Sequence, residues 1–319
     1  MVVENAVGVV AGDEVGRRAG RVVVSRPLRQ VRAAGPVRTW SLWQLGLAGG
    51  ALTSAATTGW VLGTVRRRPR GRDVVARMSY REAAPDPVPG RPLRTPVVLI
   101  HGLGMSSRSM RNLVRGLGTT TRALAPDLPG YGRSPQPRVG MLGVNDLARA
   151  VLAWMDEQGV DAAVLVGHSV GAQVAGEVAL LAPERVRRLV VIAPTGDPDR
   201  PSVLRQALRL AKGVLDEPPM LVAIAAVDYL RAGPGQMVML MRRAVQRASP
   251  QLDATVAVPM LVVRGSQDEV CSQAWCERLV SATAGSRLVV VEDSAHGIAF
   301  DAPQELLDLL REEVLAADR

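Results

Sequence analysis

Six short apolar runs with no polar alternation leave this chain few folds to choose from. They read Pro96-Val97-Val98-Leu99-Ile100, Arg122 to Pro126, Ala163-Val164-Leu165-Val166, Leu189-Val190-Val191-Ile192, Met260-Leu261-Val262-Val263 and Leu288-Val289-Val290-Val291. A strand with one wet face alternates apolar and polar residues, whereas a run that is apolar throughout is buried on both faces, as in a parallel sheet covered by helices. Helical stretches separate the runs at 107–117, 145–158, 170–181, 273–284 and 303–316. The expected fold class is therefore α/β, with a mostly parallel, doubly wound sheet. Ligands of such sheets bind beyond the carboxyl ends of the strands, so chemistry is expected in the residues that follow each run.

One region interrupts the alternation. From about 196 to 257 the chain reads as three helices, 201–214, 219–232 and 235–248, punctuated by Pro218-Pro219 and Gly233-Pro234-Gly235. An insertion between the strands ending near 193 and starting near 258 is expected to sit as a helical cap over the carboxyl edge of the sheet. It supplies Met220, Met237 and Met241 among Leu, Val and Ile. Such residues either pack the cap on the body or, with Met105, form a flexible apolar pocket for an acyl or alkyl chain.

After the third run comes Gly167-His168-Ser169-Val170-Gly171-Ala172, a G-x-S-x-G sequence between a strand and a helix. A sharp strand-to-helix turn lifts the serine hydroxyl out at the helix N-terminus, and glycine two positions either side allows neighbouring elements to approach closely. A serine nucleophile needs a base, and the base needs an orienting acid. The chain has three histidines. His101 and His168 lie in the first loop and beside the serine, which leaves His296, directly after the last strand. Asp268, in Gly265-Ser266-Gln267-Asp268 after the preceding strand, is the expected acid, with Glu269 and Asp293 as competing partners. Asp127, in the Asp127-to-Ser134 loop, is expected to brace turns.

On these residues the body resembles the α/β-hydrolase superfamily, over about 74–316. The matching motifs are HGLG at 101–104, DLPGYGRS at 127–134, GHSVGA at 167–172, GSQD at 265–268 and SAHG at 294–297. The resemblance implies an α/β-hydrolase fold with Ser169 as nucleophile, His296 as general base and acid, and Asp268 as orienting acid. It also implies an oxyanion hole formed by the backbone N–H groups of Leu103 and Val170, with His101 supporting that loop and His168 structural. Ala172 departs from the second glycine that many members carry, and Cys271 stands near a position often held by proline. The implied reaction is hydrolysis of a carboxylic ester or related acyl bond of a small, apolar substrate, without cofactor or metal. Carbon–carbon bond hydrolases, perhydrolases and acyltransferases use the same triad, and some chains of this fold are non-catalytic binding proteins. The serine argues against aspartate-nucleophile dehalogenases and epoxide hydrolases.

Charge bears on location. The formal net charge is +9, yet residues 1–72 hold 12 Arg against three acids while residues 73–319 hold 27 basic and 27 acidic side chains. The body at 73–319 is thus neutral behind a basic leader at 1–72. With nine aromatics in the whole chain, no basic, aromatic nucleic-acid surface is expected. Within the leader, 39–65 is uncharged and long enough to span about 30 Å of hydrocarbon, although it is diluted by five glycines. Trp40, Trp43 and Trp60 lie towards its ends, and the expectation is membrane association through this segment, against a cleaved signal or a soluble leader. Residues 1–38 read as a flexible arm. Cys271 and Cys276 lack the second ligand pair of a zinc site and are expected to be buried thiols.

Overall fold

The computed structural model describes residues 21–24, 78–86, 94–137, 142–197, 208–209, 219–246, 256–301 and 303–319. Among the described residues eight strands form one sheet: β1 (Arg21–Val24), β2 (Tyr80–Ala83), β3 (Val97–Ile100), β4 (Ala123–Pro126), β5 (Ala163–His168), β6 (Val186–Ile192), β7 (Met260–Gly265) and β8 (Arg287–Val291). Their spatial order is β1-β8-β7-β6-β5-β3-β4-β2. All neighbours pair in parallel except β2, which runs antiparallel to β4 at the edge.

Strand periodicity divides the apolar runs between two cores. Val98, Ile100, Leu165, Val191, Val262 and Val290 face one side, where they pack against helices α2 (Val144–Glu157), α3 (Val170–Leu181) and α6 (Gln273–Ala282). Val97, Leu99, Val164, Val166, Val190, Ile192, Val263 and Val289 face the other, against α1 (Arg111–Leu117) and α8 (Pro303–Ala317). Successive residues thus serve opposite layers, which is why these runs cannot alternate with polar side chains. The three-layer α/β architecture agrees with the sequence expectation. Helix α3, which follows Ser169, is buried from Val170 to Ala179 and packs at the middle of the sheet.

Two strands have no counterpart in the sequence reading. β2 has the sequence Tyr-Arg-Glu-Ala and is mostly exposed, and an edge strand with one partner needs no apolar run. β1 lies within the leader that reads as a flexible arm, and pairs with β8 from Arg21↔Leu288 to Val24↔Val291. The first helix opens at Arg111, four residues later than the pattern suggests, because 107–110 forms turns. Between β6 and β7 the described residues include α4 (Pro219–Ala232) and α5 (Pro234–Gln246), matching the second and third helices expected there, while the expected helix at 201–214 lies outside the described residues except for 208–209. The short helix α7 (Ile298–Asp301) follows β8.

The uncharged 39–65 segment, and the membrane association expected of it, lie outside the described residues. Among the described residues no helix is long and apolar enough to cross a membrane.

Candidate active site

Ser169 occupies the turn between β5 and α3 with φ 56° and ψ −120°. For a residue with a Cβ this is a strained conformation, costing about 1–3 kcal/mol, and its surroundings hold it there. Its N–H donates to the Ile192 carbonyl at 2.9 Å and its carbonyl accepts from the Ala172 N–H at 3.0 Å. The flanking glycines let the backbones touch. A Cβ on Gly171 would stand 2.5 Å from the His101 carbonyl oxygen, and one on Gly167 2.6 Å from the backbone of Ala172.

The hydroxyl so presented meets His296. His296 Nε2 lies 3.0 Å from Ser169 Oγ, and Nδ1 lies 3.0 Å from Asp268 Oδ2. Asp268 is 3% exposed. Its second oxygen, Oδ1, accepts from the N–H groups of Val270 at 2.8 Å and Cys271 at 3.0 Å. Burial raises the Asp268 carboxyl, but attraction and hydrogen bonding from His296, with the two amides, outweigh it and leave the acid below its ordinary pKa. It is therefore a carboxylate at neutral pH, able to orient the imidazole and to stabilise an imidazolium. Glu269 and Asp293 do not take this bond.

His101 and His168 occupy supporting positions. His101 Nε2 accepts from the Leu128 N–H at 3.0 Å, so its proton must be on Nδ1, which donates to the Gly102 carbonyl at 2.9 Å. Burial holds its pKa below the ordinary value. The neutral ring thereby ties the loop after β3 to the loop after β4. His168 Nε2 donates to the His296 carbonyl at 2.9 Å, and burial, with the neighbouring His296, lowers its pKa to about 4. Asp127 braces two turns by accepting from the N–H groups of Ser107 at 2.7 Å and Arg133 at 3.0 Å.

The loop braced by His101 runs directly past the serine. Val170 opens α3, so its N–H is one of the four that a helix leaves without an internal partner. The Leu103 N–H makes no hydrogen bond among the described residues, and Leu103 lines the same cavity as Ser169. The Val170 N–H at the start of α3 and the Leu103 N–H on the cavity wall are donors of the kind that an oxyanion requires.

That cavity measures about 440 Å³. Ser169, His296 and His168 lie in its wall, and the rest is largely apolar, with Met105, Met110, Leu221, Val222, Met237 and Met241 prominent. Arg209, Gln267 and Glu269 also line it. Helices α4 and α5 thus share one cavity with the serine. Of the four methionines expected there, Met105, Met237 and Met241 line it. Met220 does not: it is 55% exposed. The lining residues Leu221, Val222, Ala225 and Tyr229 share one face of α4, and at about 100° per residue Met220 falls on the opposite face.

Cys271 and Cys276 are buried free thiols with their sulfurs 3.2 Å apart. Among the described residues no group of three or more His, Cys, Asp or Glu could hold a metal ion. Sequence reasoning did not single out Asp228, the one acid of α4 and fully buried. The available signal is a lone carboxylate in a largely apolar helix whose one other charged residue is Arg231.

The fold and this constellation define a hydrolase of α/β type with a serine at the strand-to-helix elbow. Residues 97–309 match the Alpha/beta hydrolase family, and the chain belongs to that family. It is 31% identical, over 259 residues, to the pimeloyl-[acyl-carrier protein] methyl ester esterase of Pectobacterium atrosepticum, covering 70% of this chain and 93% of that protein. Two solved structures share the fold. They are a thermophilic esterase from Thermogutta terrifontis (19% identity, TM-score 0.64, 77% of this chain and 98% of that one) and the enol-lactonase from Burkholderia xenovorans (22%, 0.62, 75% and 96%). The protein is an enzyme of this α/β-hydrolase family.

Proposed function

We propose that Ser169, His296 and Asp268 hydrolyse a carboxylic ester of a small, apolar acyl substrate through an acyl-enzyme. The observation that carries this reading is the unbroken chain Ser169 Oγ, His296 Nε2, His296 Nδ1, Asp268 Oδ2, with both contacts at 3.0 Å, opening onto an apolar cavity. His296 takes the Ser169 proton as Oγ attacks the carbonyl carbon. The carbonyl oxygen becomes an oxyanion facing the Leu103 and Val170 amides, and His296, now protonated, gives its proton to the departing alkoxide. Water then adds to the acyl-enzyme with His296 again as base, releasing the acid and restoring the serine. General base and oxyanion donors each contribute on the order of 10²–10⁴ in rate.

The apolar lining supports an acyl chain as the group accommodated, since the cavity offers much hydrophobic contact and few hydrogen-bond partners away from the triad. The likeness to a methyl ester esterase supports an ester bond as the one cleaved. The test has two arms. A fluorophosphonate probe should label the wild-type protein and leave Ser169→Ala unlabelled. Across p-nitrophenyl esters from acetyl to dodecanoyl, kcat/KM should peak at hexanoyl or longer. Absence of Ser169-dependent labelling of folded protein overturns the mechanism, and a preference for acetyl overturns the acyl-chain pocket.

A further inference from the structure

One fully buried carboxylate of the body takes no part in the reaction above. Asp228 belongs to α4 of the cap, and its side chain is 0% exposed. It lies on the stripe Ile224, Asp228, Ala232, whose members at i, i+4 and i+8 all face inward. Any apolar residue would serve for packing alone, and burying an ionised carboxylate costs several kcal/mol unless it is well paired.

The partners of Asp228 all come from one place. Ser106 Oγ donates to Asp228 Oδ2 at 2.5 Å, and Arg108 Nη1 pairs with Oδ1 at 3.3 Å. Ser106 and Arg108 sit in the turn that continues the loop after β3, the loop that carries the Leu103 amide. The turn is tightly knit. The Met105 N–H donates to the Gly102 carbonyl at 3.2 Å, and both the Ser109 N–H and its hydroxyl donate to the Ser106 carbonyl, at 3.0 and 2.8 Å. The residue next to Asp228 presses on the same loop. A Cβ on Gly104, where φ is +69°, would collide with the Tyr229 ring and stand 2.5 Å from Met237 Cε. The loop is therefore held from the body by His101 and Asp127 and from the cap by Asp228 and Tyr229.

We propose that Asp228 is a positioning residue that uses Ser106 and Arg108 to set the oxyanion loop, so that the Leu103 amide reaches its working place only when α4 is docked. The inference rests on the proposed role of that amide. Docking of α4 and correct placement of the oxyanion donor are then one event: withdrawing α4 removes the clamp from the loop. Asp228 acts through the loop and does not touch substrate.

The test uses the full chain with p-nitrophenyl hexanoate, kcat being normalised to Ser169 sites titrated to completion by fluorophosphonate. Asp228→Asn keeps the shape and an acceptor for Ser106 but removes the charge that holds Arg108; Ser106→Ala removes the other bond. Each variant should lower kcat per site by about tenfold, less than the roughly 10²–10³ for outright loss of an oxyanion donor, with KM changed less than about threefold. Affinity for hexylboronic acid, whose tetrahedral adduct places an oxygen where the oxyanion forms, should fall by a similar factor. The double variant should lose little more than the worse single one, because both cut the same connection. If the single variants keep wild-type kcat per site and boronate affinity while melting at lower temperature, Asp228 merely fastens the cap and the inference fails. Should Asp228→Asn not fold, Arg108→Met cuts the same ion pair from a side chain that is 35% exposed, and the same two outcomes decide. Wild-type protein that neither turns over nor labels at Ser169 would overturn the proposed function itself, a result distinct from active wild type with unaffected variants.

Discussion

Replacing Gly171 by alanine should inactivate the enzyme far more than it destabilises the fold. In an ordinary helix the change is favourable by about 1 kcal/mol. Here the new Cβ would stand 2.5 Å from the His101 carbonyl oxygen, with Ile100 O closer still, against about 3.4 Å for the start of ordinary contact. Relief requires a displacement of about 0.9 Å or more. Neither carbonyl can supply it readily, because Ile100 is paired with Gly167 in the β3–β5 ladder and His101 is pinned by Leu128. The start of α3 must therefore yield, carrying Ser169 and the Val170 amide away from Leu103. A misplacement near 1 Å costs about 10²-fold in rate. Overpacking costs about 1–3 kcal/mol, partly offset by the helix gain, so the net loss is about 0–2 kcal/mol and the melting temperature falls about 2–4 °C per kcal/mol. The assay is kcat/KM on p-nitrophenyl hexanoate beside thermal unfolding, with Gly235→Ala as control. A Cβ at Gly235 meets nothing within 4 Å, so that variant should keep wild-type activity. A Gly171→Ala protein within about threefold of wild-type kcat/KM would refute the argument that backbone contact across the elbow fixes the site.

Stability should depend on pH through His168. The folded state keeps it neutral down to about 4, whereas the unfolded chain protonates near 6.5, so in that window the unfolded state binds more protons and stability falls as pH falls. His168→Gln, which retains an N–H donor towards the His296 carbonyl, should flatten the decline between pH 6.5 and 4 in urea unfolding; an unchanged slope would count against a buried neutral histidine. Met237→Trp should crowd the cavity and cut kcat/KM for hexanoyl and longer esters by about tenfold or more while leaving acetyl within about threefold. Equal losses at every chain length would show that Met237 does not border the acyl site.

The parts of this molecule that were legible in its sequence are those for which one physical demand leaves one solution. A strand buried on both faces must be apolar throughout, and six such runs marked β3 to β8. With only three histidines, two of them next to glycine-bounded turns, His296 was the available base, and its bond to Asp268 follows the chain order that the strands imposed. Where demands are weaker the signal vanished. β2 pairs on one side and exposes most of its side chains, so Tyr-Arg-Glu-Ala carries no pattern, and the four residues of β1 were hidden in an arginine-rich arm. Met220 and Met237 looked alike in composition, and only the phase of each helix against the body separates the exposed one from the one in the wall. Asp228 depends on partners more than a hundred residues away, which local patterning does not register.

That distance has a further consequence at the nucleophile. Ser169 and His296 are separated by 127 positions, and the segment between them includes β6, the cap, β7 and β8. Loops of this length close late in folding, because contacts distant in sequence form only after much of the chain has been ordered. No partly folded species lacking β8 can present an activated serine. During refolding, the appearance of Ser169-directed labelling therefore times the completion of the sheet, and a chain interrupted before residue 296 stays chemically silent even if β3 to β6 have assembled.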